Sequence, residues 1–169
     1  MKTYTLIGGV NGVGKSSLLG VLFSIKNDLG IICDESSNTV IKCFEPGVNF
    51  MQETTLSGVR TLKTIQRARE KGYYIGVSSC NESLQRIANR VKKGGHDIPS
   101  EDVKRRFEKR FDDLDRVLPF CNEVKLFDNE NGFTEVAEYK NGELIIKCER
   151  LPQWLSDFRQ HFDSKEALK

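Results

Sequence analysis

The chain has 169 residues, of which 38% are hydrophobic and 30% are charged, with a net charge of +2. These values predict one globular domain with a sizeable core, and the weak charge does not suggest a nucleic-acid partner. No apolar run approaches membrane-spanning length, and the N-terminus enters a strand without a signal-peptide pattern, so we expect a cytoplasmic protein without a membrane partner. The scattered cysteines form no C-x-x-C pair, which argues against a disulfide framework or a zinc site and favours a reducing compartment. They are Cys33, Cys43, Cys80, Cys121 and Cys148.

The first predicted elements enclose a phosphate-binding loop. Thr3–Gly8 is an apolar, strand-like segment, Gly9–Ser17 matches the Walker A pattern G-x-x-x-x-G-K-[ST], and a helical pattern follows to about Asn27. In this context, backbone N–H groups and the helix N-terminus cradle the phosphates of a nucleoside triphosphate. Lys15 would reach the terminal phosphates, and the Ser16 hydroxyl would bind Mg²⁺. The predicted nucleotide contacts are Gly9, Asn11, Gly12, Val13, Gly14, Lys15, Ser16 and Ser17.

Strands and helices then alternate to residue 128. This alternation predicts an α/β fold with a mostly parallel sheet that is covered on both faces and binds ligands at the carboxyl ends of its strands. The predicted strands are Ile31–Cys33, Val48–Gln52, Tyr73–Ser78 and Val124–Asp128. Predicted helices run from Val59 to a C-terminal Gly72, from an Asn81 cap through Val91, and from a Ser100 cap to Leu118, whereas Ser36–Gly47 is interpreted as loop or ragged helix.

The last part of the chain is an addition to this core. Phe133–Tyr139 and Glu143–Cys148 flank an Asn-Gly turn, which predicts a β-hairpin, and Pro152–Phe162 is a closing helix. We therefore predict one domain over 1–169, with a core of about 1–130 and the hairpin and helix in about 131–169.

Two acidic residues follow predicted strands at the edge where ligands bind. Asp34 comes after Ile31–Cys33, and Glu53 comes after Val48–Gln52. Phosphoryl transfer to a hydroxyl requires Mg²⁺ coordination and a carboxylate that accepts the proton of the acceptor. Asp34 and Glu53 are the candidates for these roles, and the alternative is that Asp34 is a solvated turn residue.

Basic residues crowd two consecutive helices. Arg86, Arg90 and Lys93 share one helix face, and Arg105 and Arg106 lie on the next helix with Lys109 and Arg110. Between them lies the glycine-rich loop Gly94–Pro99. We assign no chemical role to His96 in this loop. The arrangement predicts a helical lid that closes over phosphates, with an ordinary solvated face as the open alternative.

With these residues in place, the chain resembles the zeta-toxin family of P-loop kinases, in particular its stand-alone bacterial branch. The resemblance covers roughly residues 3 to 130, and its Glu-Thr-Thr-Leu-Ser and Gly-Gly-His-x-Ile-Pro strings are specific. The matching segments are Gly9–Ser17, Gln52–Gly58, Arg86–Val91, Gly94–Pro99, Arg105–Phe107 and Phe127–Asn129.

The resemblance implies a kinase-type P-loop NTPase sandwich that uses ATP or GTP with Mg²⁺. The best-known relatives phosphorylate a sugar hydroxyl of UDP-N-acetylglucosamine, and an antitoxin protein is a further expected partner. By residue, the resemblance implies Lys15 and Ser16 on phosphate and metal, Asp34 as the base, and Glu53 at the active site. Arg86, Arg90 and Arg105 or Arg106 would be the lid cations, and Asp128 and Asn129 would lie near the nucleotide base.

Three functions remain open at this stage. The first is a Mg²⁺-dependent kinase that transfers the γ-phosphoryl group to the hydroxyl of a small molecule. The second is an ATPase or GTPase whose hydrolysis drives a conformational change. The third is a nucleotide-binding module without an acceptor, because the segment Glu35–Gln52 is shorter than the acceptor segment of relatives.

Overall fold

The computed structural model of the chain describes residues 1–26, 28–33, 37–93 and 99–167. The candidate base Asp34 and residues 94–98 of the predicted lid loop lie outside the described residues. Within the described part, no helix is both long and apolar enough to cross a membrane.

Strands and helices follow one another in the predicted order. The strands are β1 (Thr3–Gly8), β2 (Ile31–Cys33), β3 (Phe50–Thr54), β4 (Tyr74–Asn81), β5 (Glu123–Asp128), β6 (Thr134–Lys140) and β7 (Glu143–Ile146). The helices are α1 (Lys15–Ile25), α2 (Ser37–Phe44), α3 (Val59–Glu70), α4 (Leu84–Lys93), α5 (Ser100–Val117) and α6 (Gln153–Glu166), with a short 3₁₀ turn at Leu118–Phe120.

The strands form one sheet in the order β2-β3-β1-β4-β5-β6-β7. The first five pair in parallel, and the hairpin β6–β7 extends the sheet in the antiparallel sense. Because β1 lies between β3 and β4, the loop that follows β1 sits beside the ends of both neighbours. Gly8 pairs with Thr54 on one side and with Ser79 on the other. This register brings the phosphate loop and the strand-end residues to one edge of the sheet.

Apolar side chains cover both faces of the sheet, as expected for parallel strands. Along β1, Tyr4 and Leu6 enter one core cluster and Ile7 enters the other. The first cluster takes in residues of α2, α3 and α6, and the second takes in residues of α1 and α4. The predicted three-layer α/β sandwich with a mostly parallel sheet is therefore confirmed.

The C-terminal addition packs into the first cluster. Val136 and Ala137 of β6 and Trp154 and Phe158 of α6 are buried there. The Trp154 Nε1–H also donates to Asp128 Oδ1 at 2.6 Å, so α6 is tied to the end of β5. The hairpin turn has positive φ at Asn141 and Gly142, 54° and 87°, as an Asn-Gly turn requires.

Several sequence predictions need correction. Residues 37–44 form a regular helix, α2, where a loop or ragged helix was predicted. The third strand begins two residues later than predicted, at Phe50, and ends at Thr54, so that Glu53 is its penultimate residue. Just before it, the Asn49 side-chain oxygen accepts from the Thr3 N–H at 2.9 Å. Asn81 belongs to β4 and does not cap α4, because its carbonyl accepts from the Asn129 N–H at 3.0 Å as part of the sheet edge.

Candidate nucleotide and phosphoryl-transfer site

The phosphate loop connects β1 to α1 and rests tightly on β4. Gly9, Gly12 and Gly14 have φ values of 142°, 79° and 101°, and Gly14 occupies the N-cap position of α1. A Cβ atom at Gly9 would lie 2.8 Å from the Cys80 carbonyl oxygen. Glycine is needed here both for the backbone conformation and for the close approach, so the loop adopts the curved form that receives phosphate oxygens.

Lys15 and Ser16 begin α1 at the mouth of this loop. The Lys15 Nζ donates to the Val10 carbonyl at 3.1 Å, across the loop. The Ser16 hydroxyl donates to Glu53 Oε2 at 3.0 Å, and Glu53 reaches it because β3 pairs with β1. A hydroxyl and a carboxylate oxygen this close are hard oxygen donors of the kind Mg²⁺ prefers, so Ser16 and Glu53 fit a magnesium ion.

An open cleft of about 1110 Å³ runs from the phosphate loop to the other end of the sheet edge. Its volume is slightly above the usual range for ligand sites, with room for a nucleotide and a second molecule. The loop side is lined by Asn11, Gly12, Gly14, Lys15, Ser16, Ser17, Arg90, Val91 and Arg106. The far side is lined by Ile32, Cys33, Thr39, Gln52, Glu53, Thr55, Ser57, Arg60 and Thr61.

The turn after Glu53 orients part of the far side of the cleft. The Leu56 N–H donates to Thr54 Oγ1 at 3.1 Å, and the Thr54 and Thr61 hydroxyls lie 3.2 Å apart. Leu56 has φ of 60° and is buried above Gly8, where an added Cβ would lie 2.8 Å from Leu56 Cδ1. The Glu-Thr-Thr-Leu-Ser string is thus a braced turn that joins β3 to α3 and presents Thr55 and Ser57 to the cleft.

Arg86 and Arg90 converge on Glu82, a carboxylate whose side chain is fully buried. Arg90 makes a two-pronged contact, with Nη1 2.8 Å from Oε2 and Nη2 3.1 Å from Oε1. The Arg86 Nε lies 2.8 Å from Oε1. Burial raises the pKa of the Glu82 carboxyl, and the charges of Arg90 and Arg86 oppose that rise. Arg90 is therefore held by a buried carboxylate and is not simply a solvated side chain.

Beyond Glu82, the two α4 arginines contact different residues. Arg90 Nη1 also donates to the Gly12 carbonyl at 3.0 Å, so Arg90 touches the phosphate loop. Arg86 instead turns to Glu130, donating to its backbone carbonyl and lying 3.3 Å from its Oε2. Burial would raise the pKa of Glu130, but hydrogen bonds from Ser83 and the charge of Arg86 outweigh burial and lower it.

The next helix also separates its two candidate arginines. Arg106 Nη1 donates to Asn11 Oδ1 of the phosphate loop at 2.6 Å. Arg105 pairs with Asp102 at 2.7 Å on the outer side of α5, with 61% of its side chain exposed. The sequence analysis did not choose between Arg105 and Arg106 as a lid cation. In the structure, Arg106 contacts the phosphate loop, and Arg105 is not among the residues that line the cleft.

Asn129 braces the loop from the β5 side. Its Nδ2 donates to the Val13 carbonyl at 3.0 Å, and Asn129 is buried. The Cys80 thiol donates to the same carbonyl at 3.3 Å, and burial raises the pKa of that thiol to about 12, so it stays protonated and able to donate. Asn129 was predicted near the nucleotide base, and the contact seen here is with the loop backbone.

Sequence reasoning missed Glu82 and Glu130. Glu82 directly follows β4, which was expected to end at Ser78 and in fact ends at Asn81, and Glu130 comes two residues after the end of β5. With the true end, the strand-end argument that selected Glu53 would have selected Glu82. Glu130 follows Asp128 and Asn129, which were considered only for the nucleotide base.

Sequence comparison relates the chain to a known protein over part of its length. No family model matches the chain. An uncharacterized protein of Haemophilus influenzae is 38% identical over 65 residues, a match that covers 36% of this chain and 46% of that protein. The chain thus spans about half the length of this curated relative.

Solved structures show the fold more fully. A structure of the PezAT chromosomal toxin–antitoxin system of Streptococcus pneumoniae has a TM-score of 0.61 at 13% identity, covering 99% of this chain and 86% of that chain. The AvrRxo1-ORF1:AvrRxo1-ORF2 complex with sulphate ions has a TM-score of 0.60 at 18% identity, covering 92% and 64%. The same complex with ATP has a TM-score of 0.60 at 15% identity, covering 96% and 63%. The chain therefore has the fold that the zeta-toxin resemblance implies.

Proposed function

We propose that the chain is a zeta-toxin-like, Mg²⁺-dependent kinase that transfers the γ-phosphoryl group of ATP or GTP to a hydroxyl of a small molecule. The observation that carries the proposal is the Ser16–Glu53 contact of 3.0 Å, in a cleft that continues past the phosphate loop. It joins the metal-binding hydroxyl of the loop to a strand-end carboxylate, and the space beyond it admits an acceptor.

The residues around the loop supply the functions that phosphoryl transfer needs. Lys15 and the loop N–H groups bind the β- and γ-phosphates, and Ser16 and Glu53 hold the metal. When bound, Mg²⁺ neutralises charge on the phosphate oxygens. Arg90 and Arg106, which contact the loop, add positive charge where negative charge develops in the transition state.

The far side of the cleft is the proposed acceptor site. It offers hydroxyl, amide and guanidinium groups from Thr55, Ser57, Gln52 and Arg60, which suit a polar acceptor rather than an apolar one. With the zeta-toxin resemblance, this makes a sugar nucleotide such as UDP-N-acetylglucosamine the first acceptor to test. Asp34 is the proposed base that accepts the proton of the hydroxyl.

An antitoxin-type protein is the proposed partner. Support comes from the solved relatives, since PezAT is described as a toxin–antitoxin system and AvrRxo1-ORF1 is solved with AvrRxo1-ORF2. Since the chain spans only part of some of these relatives, the partner has to be tested on this chain directly.

A nucleotide-binding module without an acceptor is the second candidate. It is favoured by the thin acceptor end of the sheet, where β2 has three residues and Ile31 and Ile32 remain 50% and 56% exposed. Among the residues that the structure describes, few surround an acceptor site there.

A phosphotransfer screen separates the two candidates. The protein is incubated with γ-labelled ATP or GTP, Mg²⁺ and one acceptor from a panel of sugar nucleotides, nucleosides and coenzyme precursors, with Lys15→Ala as the matched control. Label transferred to an acceptor by the wild type but not by Lys15→Ala supports the kinase. Tight ATP binding by calorimetry without transfer or hydrolysis supports the module, and slow hydrolysis that no acceptor accelerates supports an ATPase.

A further inference from the structure

Glu82 is a buried carboxylate that directly contacts both α4 arginines, Arg86 and Arg90. The sequence analysis did not include it among the candidate site residues. Its side chain is 0% exposed, while those of Arg86 and Arg90 are 43% and 41% exposed. Glu82 follows the last residue of β4, and α4 starts two residues later at Leu84. The carboxylate therefore sits on the rigid sheet, whereas the arginines reach it from the helix.

Energetics explain why this contact orders the arginines. An isolated ionised carboxylate is costly to bury, and it is tolerated when charged donors satisfy its oxygens. Here two N–H groups of Arg90 donate at 2.8 and 3.1 Å, and the charged Arg86 Nε lies 2.8 Å from Oε1. A two-pronged guanidinium–carboxylate contact fixes the plane of the arginine as well as its position.

The two arginines depend on Glu82 to different degrees. Arg86 has a second anchor in Glu130, so it keeps its place without Glu82. Arg90 has no such second carboxylate among the described contacts, and its remaining bond is to the Gly12 carbonyl of the phosphate loop. The orientation of Arg90 at the loop thus depends mainly on Glu82.

We propose that Glu82 is a positioning residue that holds the Arg90 guanidinium against the phosphate loop, ready for the charge that develops during phosphoryl transfer. The inference rests on the proposed function and adds a residue to it. Glu82 acts through Arg90 and does not touch the substrate. Its removal should lower the rate of transfer more than the affinity for ATP, because a preorganised donor counts most in the transition state.

A double-mutant cycle tests this directly. Turnover and ATP affinity are measured for wild type, Glu82→Gln, Arg90→Ala and the double variant, with thermal unfolding recorded for each. The probes are MgATP, with hydrolysis and transfer to UDP-N-acetylglucosamine as readouts. Asp113→Asn is the matched control, since Asp113 is also buried, burial also raises its pKa, and its partner Arg116 lies on α5.

The expected result is non-additive. Glu82→Gln should slow turnover roughly tenfold in the wild-type background and less than about twofold once Arg90 is alanine. Asp113→Asn should lower the unfolding temperature with turnover within about twofold of wild type. If Glu82→Gln does not fold, Glu82→Asp, which keeps the charge on a shorter side chain, takes its place in the same cycle.

Equal fold-losses from the Glu82 change in both backgrounds would overturn the inference, because Glu82 would then act independently of Arg90. A wild type without turnover would overturn the proposed kinase instead. In that case the cycle in ATP affinity still decides: coupling between the two positions supports the positioning role, and additive losses reject it.

Discussion

The two walls of the cleft are built very differently. The loop wall, comprising Gly9–Gly14 with Arg90 and Asn129, is held by side-chain bonds to three loop carbonyls, those of Val10, Gly12 and Val13. The edge wall, comprising Ile32, Cys33 and Thr39, belongs to a three-residue edge strand and a short helix. Preorganisation is thus concentrated at the proposed nucleotide site, and the proposed acceptor meets a sparser surface.

The largest effect should come from the loop wall itself. Lys15→Ala should lower turnover by about a thousandfold, because it removes the cation aimed at the β- and γ-phosphates. Its thermal unfolding should stay near that of wild type, since Lys15 is only partly buried. If a well-folded Lys15→Ala protein kept the turnover of the wild type, the loop wall would have no part in the proposed chemistry.

Glu53→Gln should lower turnover by roughly several hundredfold while changing ATP affinity much less, because the lost charge acts on the metal and the reacting centre. Raising Mg²⁺ should recover part of the loss, which distinguishes a metal ligand from a structural residue. Calorimetry with ATP and a Mg²⁺ titration of turnover provide the comparison. Parallel losses of affinity and turnover, unmoved by Mg²⁺, would contradict the role.

Arg90→Ala should slow transfer on the order of a hundredfold with a small change in ATP affinity. Arg105→Ala is the matched control, because Arg105 pairs with Asp102 away from the loop and should stay within about twofold. Single-turnover transfer measures both. Similar rates for the two variants would mean that contact with Gly12 carries no catalytic advantage.

Gly12→Ala should weaken ATP binding about tenfold. The new Cβ would lie 2.7 Å from Val91 Cγ2, so Val91 must give way, by a change of its side chain or by a shift of α4. Gly47→Ala shares the positive φ, 66°, but meets only Lys2 Cδ at 3.8 Å, and its ATP affinity should equal that of wild type. Both should lose roughly 1 kcal/mol of stability from backbone strain. An unchanged ATP affinity in Gly12→Ala would show that the loop tolerates displacement of α4.

The smallest effect is expected on the edge wall. Ile32→Val should change the free energy of unfolding by less than about 0.5 kcal/mol, because Ile32 is 56% exposed. Ile75→Val, at a fully buried strand position, should cost about 1 kcal/mol. Urea unfolding of both proteins measures the difference. A larger loss at Ile32 than at Ile75 would indicate that another segment covers the edge wall.

The sequence by itself determined the α/β order, the phosphate loop, and Glu53 as a strand-end carboxylate. These follow from local patterns, since glycine spacing, apolar periodicity and the position after a strand are all read within a few residues. Even the hairpin was predictable, because both turn residues have positive φ, which asparagine tolerates and glycine, lacking a Cβ, adopts freely.

Only the tertiary structure decided which of the basic residues face the loop. Arg105 and Arg106 are neighbours in sequence with the same charge, yet a helix turns successive side chains about 100° apart, so one pairs with Asp102 and the other reaches Asn11. Glu82 was hidden for a related reason: where β4 ends depends on its pairing with β5, through Asn81 and Asp128. Strand length is a property of the sheet as a whole, and residues far apart in the chain decide it.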